Sequence, residues 1–339
     1  MTNLTAISSL TKKILWVLAL ALLIGFLLFL IIYKFSPHET KDEKPLNLIE
    51  SPQFNTISAT VGRFKTEQLT APENIPKKIP VYKLSSEDSF LIIANTFATK
   101  LGFADPPREL NDARLGQGLL FAKDNRVLSI YKDLITYQKS VPQSKVSPFD
   151  ETFLRTKAIE FISALEIPTV NLAEEPITYI KLTNEGLLQT KNASQANFIK
   201  FLFRYSLADL KVVGDSNGLQ VTLHPAGDVV GFTFRLLKTE AQLGDYPILD
   251  LKDALRLLQA NKGFLIGLSG EWADIEASKD LGEVALTKAY LTYYLPIKTP
   301  NIIQPAWIFE GKSVGDTLEV DADFAVPAIE SKYFSPSLP

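Results

Sequence analysis

The chain has no cysteine, two histidines and one methionine among its 339 residues. Without cysteine there can be no disulfide, no thiolate nucleophile, no cysteine-based zinc site and no acceptor for a lipoprotein's lipid. Two histidines, His38 and His224, are too few for a histidine-rich metal centre. His224 precedes Pro225 at a turn, a poor place for a catalytic base that packed neighbours must orient. The phosphate-cradling patterns Gly-x-x-x-x-Gly-Lys-Ser/Thr and Gly-x-Gly-x-x-Gly are missing. Leu115-Gly116-Gln117-Gly118 is Gly-x-Gly only, which a turn explains. An excess of base is missing too, with 35 Lys and Arg against 38 Asp and Glu and a net charge of −3. All 38 acids follow residue 33, with 33 of the bases, so that region carries −5. Nucleic acid and anionic lipid surfaces therefore have no electrostatic support as partners.

What is present is a run of apolar residues from Ile14 to Tyr33, twenty positions without a charge, fifteen of them Leu, Ile, Phe or Val. As a helix it would be about 30 Å long, the thickness of a bilayer's hydrocarbon core. Trp16 and Tyr33 lie near its ends, where amphipathic rings favour the headgroup layer. A cleaved signal peptide should have an apolar region of about 7–15 residues and a small-x-small site. Tyr33-Lys34-Phe35-Ser36-Pro37 offers no such site. The run is therefore expected to be a retained, single-pass transmembrane helix. A short basic tail with Lys12 and Lys13 stays easily inside, and a long domain translocates largely regardless of charge. The expected localisation is the cell membrane, with the N-terminus cytoplasmic and the bulk extracytoplasmic.

The expected organisation is a cytoplasmic tail (1–13), the membrane helix (14–33), a proline-rich lead-in (34–84), three modules (85–142, 147–246 and 248–330) and a tail (331–339). Pro37, Pro45, Pro52, Pro72, Pro76 and Pro80 break any helix in the lead-in. Within it, Val61 and Phe64 lie near a short strand, and Pro80-Val81-Tyr82 reads as extended. Each module opens on an amphipathic helix. The first has Phe90, Ile93, Ala94, Phe97, Ala98 and Leu101 on one face, an approximate capping box of Ser85 and Asp88, and Gly102 at its end. The second begins near Asp150, with Leu154, Ala158, Phe161, Ile162 and Leu165 on one face and Pro168 as its stop. The third begins at Asp250, with Leu251, Ala254, Leu255 and Leu258 inward and Gly263 closing it. Strand-like segments follow each helix, with turns at Asp124-Asn125, Asn217-Gly218 and Pro225 to Asp228. The last strand alternates. Leu318, Val320, Ala322, Phe324 and Val326 face one way, and Thr317, Glu319, Asp321, Asp323 and Ala325 the other. The expected fold class is α+β, with tandem modules of one helix on a small antiparallel sheet.

Lys100-Leu101-Gly102-Phe103, followed by paired short strands, resembles PepSY-like modules. The Asp-x-x-x-Ala-Leu helix from Asp250, Tyr290-Leu291-Thr292-Tyr293-Tyr294 and Gln304-Pro305-Ala306-Trp307-Ile308-Phe309-Glu310-Gly311 follow in the order of the YycH/YycI-like regulators. That resemblance implies a single-pass protein of Gram-positive bacteria that modulates a membrane sensor kinase monitoring the cell wall.

Three groups invite a chemical reading. Glu271 and Asp274 flank Trp272, and carboxylates beside an aromatic suggest glycoside hydrolysis. Against 38 acids, such proximity arises by chance. Glu319, Asp321 and Asp323 present three carboxylates on one strand face. A hard cation wants more oxygen ligands, usually from a curved loop, and a solvated face that discourages aggregation explains them better. Trp307, Tyr293 and Tyr294 suggest a sugar or peptide platform, but at strand spacing such rings are commonly core. The expectation is a non-catalytic binding or regulatory protein with no catalytic, cofactor or metal residues. Its expected partners are the lipid bilayer, through residues 14–33, and a membrane or envelope protein. The alternatives are a cell-envelope hydrolase acting on glycan or peptide, and a protease-inhibitory module.

Overall fold

Strand-forming sequence dominates the chain after residue 60. The computed structural model describes residues 46–85, 89–140, 148–167, 172–183, 186–190, 192–214, 217–270, 281–298, 300–313 and 320–335. The elements in chain order are β1 (Arg63–Lys65), β2 (Lys78–Leu84), α1 (Ser89–Lys100), β3 (Arg108–Asp112), β4 (Gly116–Lys123), β5 (Arg126–Tyr131), β6 (Leu134–Lys139) and α2 (Glu151–Ala164). Next come β7 (Leu172–Glu174), β8 (Thr178–Thr183), β9 (Gly186–Thr190), β10 (Phe198–Leu207), β11 (Leu210–Val213), β12 (Leu219–Leu223), β13 (Val229–Arg235) and β14 (Thr239–Pro247). The chain closes with α3 (Leu251–Leu257), β15 (Phe264–Gly270), β16 (Glu283–Tyr294), β17 (Ile302–Ile303), β18 (Pro305–Ser313) and β19 (Val320–Pro327).

The expected helix positions hold, for identifiable reasons. Asp150 caps α2 by accepting from the backbone N–H of Phe153, and Leu154, Ala158 and Ile162 are buried. Asp250 caps α3 by accepting from the N–H of Asp253 at 2.7 Å. Each cap satisfies a donor that the first helical turn leaves open. The chain leaves α3 through a single π-turn over 258–262, where Asn261, not Gly263, takes the left-handed conformation (φ 54°). In α1, Ala94, Phe97 and Ala98 are buried.

The expected fold class is corrected. The strands do not close into three small sheets, each under its own helix. They form one sixteen-stranded mixed sheet whose main path runs β15-β19-β18-β16-β11-β10-β12-β13-β6-β5-β4-β3, beside a second sheet ordered β14-β2-β17. Pairing crosses every expected module border: β6 with β13, β11 with β16, and β2 with both β14 and β17. The reason is the edge-strand problem. A two- or three-stranded meander exposes unpaired N–H and C=O groups, and pairing with a distant strand satisfies them. The Asn217-Gly218 turn also differs from expectation. β11 and β12 do not pair with each other; both pair with β10, and the Asn217 side-chain amide donates to the Val212 carbonyl. Pro225 to Asp228 does form the β12–β13 hairpin, with the His224 N–H donating to the Asp228 carbonyl at 2.9 Å.

No helix among the described residues is long and apolar enough to cross a membrane, so the expected single-pass transmembrane helix has no counterpart there. Residues 14–33, which carry that expectation, lie outside the described residues, as do the tail 1–13, His38, Asp88 and Pro168.

The two halves of the large sheet meet at β11 and β16. Val212 pairs with Tyr293 and Val213 with Tyr294, in parallel. The Leu295 N–H continues the ladder to the Val213 carbonyl at 2.8 Å, and the Thr292 hydroxyl donates to the Lys211 carbonyl. Gly214 ends this junction with φ +127°, and a Cβ there would overlap the Leu295 carbonyl. Below it, the buried Tyr293 donates its hydroxyl to the Pro80 carbonyl at 2.7 Å, linking the large sheet to β2. Gly214→Ala should therefore cost more than about 3 kcal/mol, combining a backbone conformation open mainly to glycine with a backbone clash. Urea unfolding of the variant checks this; a loss under about 1 kcal/mol would show that the junction tolerates the side chain.

Candidate functional site

The register of β16, β18, β19 and β15 sorts their side chains into rows. On one face, Trp307, Phe309, Ala322, Phe324 and Val326 join the main core. Trp307 is fully buried, with its indole N–H donating to the Leu249 carbonyl at 3.0 Å. On the opposite face, Tyr290, Ile308, Ala325 and Phe264 form an apolar row across the four strands. Residues 51–57 cross this face, and Phe54 stacks on Phe264 with ring centroids 4.9 Å apart. Phe54 also meets Tyr294 at 5.1 Å, and the Asn55 N–H donates to the Tyr294 hydroxyl at 3.3 Å. The candidate aromatic platform is thus divided. Trp307 and Tyr293 are core on one face, and Tyr294 is packed beneath Phe54 on the other.

One step along the strands the apolar row gives way to a charged one: Lys288, Glu310, Asp323 and Gly267 lie side by side on consecutive strands. Lys288 reaches Glu310 at 4.0 Å and lies 4.9 Å from the Tyr290 ring centroid. The Tyr290 hydroxyl hydrogen-bonds Glu310, and burial together with that carboxylate pushes the Tyr290 pKa up. Next to this row, Lys312 pairs with Asp321 at 3.6 Å. The basic groups of this patch are therefore engaged by Glu310 and Asp321. Asp323, half-buried between them, receives no hydrogen bond or ion pair among the described residues. Its Oδ2 leans over Gly267, where an added Cβ would stand 3.1 Å away, so the missing side chain makes its room. Burial first, then the charges of Glu310 and Asp321, pushes its pKa up to about 6. These are the desolvation and like-charge effects that disfavour a carboxylate.

The basic counterpart lies on β10. Lys200 and Arg204, four residues apart on one face of the strand, are both half-buried. Burial, and then Arg204, holds the Lys200 ammonium below the usual lysine range. Arg204 is also near enough to bear on Tyr290. The open face of the sheet is thus basic at β10 and acidic at β18 and β19. Such a face can exchange a proton at mildly acidic pH and can receive a cationic group at Asp323.

Other residues singled out in the sequence fall elsewhere. Glu271, Trp272, Asp274 and Glu319 lie outside the described residues. Among the described residues no group of three or more His, Asp or Glu is placed to hold a metal ion. His224 packs edge-on to Phe198, centroids 6.3 Å apart, and its Nδ1 accepts from the Ala226 N–H at 3.3 Å. Gly116 and Gly118 belong to β4. Sequence reasoning placed Asp323 on a polar strand face but missed Glu310 as its neighbour. The signal available was the apolar opposite phase of each strand, Trp307 and Phe309 on β18 and Ala322, Phe324 and Val326 on β19, which leaves Glu310 and Asp323 on the other face.

No family model matches the chain, and no curated protein matches it. Among solved structures, an uncharacterised protein from Eubacterium rectale is similar at 13% identity, over 78% of this chain and 89% of that one, with a TM-score of 0.42.

The raised Asp323 pKa fixes the sign of a stability effect. The folded state holds this proton up to about pH 6, whereas an unfolded Asp releases it near pH 4. Stability from this group is therefore present below about pH 4 and lost as pH rises through 6. Asp323→Asn should raise stability at neutral pH by about 1–2 kcal/mol, allowing for solvent screening, and should leave it nearly unchanged at pH 4. Denaturant midpoints at the two pH values check this.

Proposed function

We propose that this protein is a membrane-tethered, extracytoplasmic binding or regulatory protein that acts by contact rather than by chemistry. Residues 14–33 hold it in the lipid bilayer, and the body engages a membrane or envelope protein through the open face of its large sheet. The observation that carries this reading is Asp323. A half-buried carboxylate beside two other acids, with no cation of its own, weakens the free protein. It regains full ionisation when a Lys or Arg of a partner docks on it. A group retained against stability at a surface is the expected mark of a binding position. The row Lys288-Glu310-Asp323 would fix register, and the apolar strip under Phe54 would bound the contact. The tether rests on the length and uncharged character of 14–33.

The test is site-specific photo-crosslinking from position 312 of the full chain in native membranes. The reading expects a protein adduct that Asp323→Asn weakens strongly, and that fades as pH falls below about 6 because Asp323 takes up its proton. An adduct indifferent to both changes would sink it. So would turnover of glycan or peptide by the purified chain, which would favour a hydrolase using Glu310 and Asp323.

A further inference from the structure

We infer that the cavity where the β3–β4 and β5–β6 turns meet the loop after β16 is a phosphate-binding site. It encloses about 290 Å³. Arg114 enters from the first turn, Lys132 and Asp133 from the second, and Lys298 and Asn301 from the loop, with Ser85 at the end of β2. This site is separate from the acidic face and opposite to it in charge, so neither reading depends on the other.

Arg235 builds the site from beneath. It is 1% exposed, the most buried charged side chain described. Its Nη1 donates to the Pro296 carbonyl at 2.7 Å, its Nη2 to the Ile297 carbonyl at 2.9 Å, and its Nε to Asp133 Oδ2 at 3.1 Å. One planar guanidinium thus ties the β5–β6 turn to the loop after β16. Lys132 and Lys298 are the chain neighbours of the residues it holds, so their backbone positions are set before any ligand arrives. The same contact commits Asp133 to Arg235.

Two nearby carboxylates among the described residues are engaged as well. Asp112 accepts from the N–H groups of Arg114 and Leu115 at 2.8 and 2.9 Å, which shapes the turn and holds the Asp112 pKa down. Glu50 accepts from the Asn301 amide at 3.1 Å. Among the described residues, the lining thus places Arg114, Lys132 and Lys298 beside one carboxylate, Asp133, which is committed to Arg235.

The arrangement favours phosphate over carboxylate. A carboxylate is planar and is met best by one guanidinium fork. A phosphate is tetrahedral, carries close to two charges at neutral pH and accepts donors from several directions. Cations converging from three separate loops match the second geometry. The phosphate source is either a soluble ester or a lipid headgroup.

The test uses the full chain in phosphatidylcholine nanodiscs near neutral pH. It is titrated by calorimetry with inorganic phosphate, glycerol phosphate and malonate at fixed ionic strength, and by flotation with vesicles containing phosphatidic acid. Saturable phosphate binding is expected, weakened at least about tenfold by Arg114→Gln or Lys298→Gln, the loss of one charge-assisted contact. Lys312→Gln and Asp323→Asn should leave it unchanged. Both pocket substitutions are at exposed positions, and thermal unfolding verifies that the variants remain folded. Lys298-dependent binding of vesicles without binding of soluble phosphates would assign the group to a lipid headgroup and support the site. Malonate binding as tightly as phosphate would overturn it, as would binding that survives both substitutions or no saturable binding of any phosphate probe.

Discussion

The fold depends on a junction two residues long. Val212 and Val213 of β11, set in parallel against Tyr293 and Tyr294 of β16, are what make two sheets into one. Neither half can do without the other there. β16 pairs with β18 along its whole length on one side. Its other edge is shared among β1, a bridge at Thr70, and β11. Without β11, the ladder groups near Tyr293 would be left buried and unpaired, a penalty of about 1–3 kcal/mol for each group. Side chains reinforce the same spot. Asn217 and Thr292 each donate to a carbonyl of β11, and Tyr293 is anchored to β2. The constraint is geometric before it is energetic, since the backbones can approach this closely only because Gly214 has no side chain.

The same β16 separates two chemistries. Its core-side residues, including Leu286, Leu291 and Tyr293, join the large hydrophobic cluster. Its opposite phase begins the charged row. Because side chains alternate with period two, the register that buries Trp307 and Phe309 also places Glu310 against Asp323. The acid pair is therefore not adjustable on its own, since sliding β19 by one residue to separate the carboxylates would turn Phe324 and Val326 out of the core. Burial on one face thus imposes electrostatic strain on the other, and Gly267 gives Asp323 the space to persist there. A carboxylate so placed is stabilised either by a proton or by an incoming cation.

Parts of this were legible in the sequence because they are local. Asp150 and Asp250 cap their helices by accepting from backbone N–H groups three residues on, and the apolar spacing from Leu154 to Ile162 identifies the buried face of α2 without knowledge of what covers it. The alternation from Val320 to Val326 gives the two faces of β19 directly. The pairing was not legible. The modular reading failed because it assumed that each strand pairs with its sequence neighbour, and β6, β11 and β2 do not. Period-two text states which residues share a face but not which strand lies alongside, and that is decided by burial over long separations. The Glu310–Asp323 contact was hidden for the same reason. Arg235 was hidden too, since nothing local distinguishes a strand-end arginine that reaches water from one that holds two loops together.

The long separations also order the assembly. Arg63 on β1 pairs with Glu283 at a separation of 220 residues, and β2 lies against β17 across a similar span. Closing such loops costs entropy before any contact repays it, so folding dominated by distant strand pairs is slow. β1 must therefore wait, unpaired, until β16 is available, and β2 until β14 is. Edge strands left open invite wrong partners. Here the waiting segments are unattractive templates. β1 is three residues long with a charge at each end, Pro72 and Pro76 interrupt the approach to β2, and Pro80 lies within it. The prolines that suggested a simple lead-in thus have a second physical role: they limit misassociation of a strand whose partners, β14 and β17, lie far along the chain.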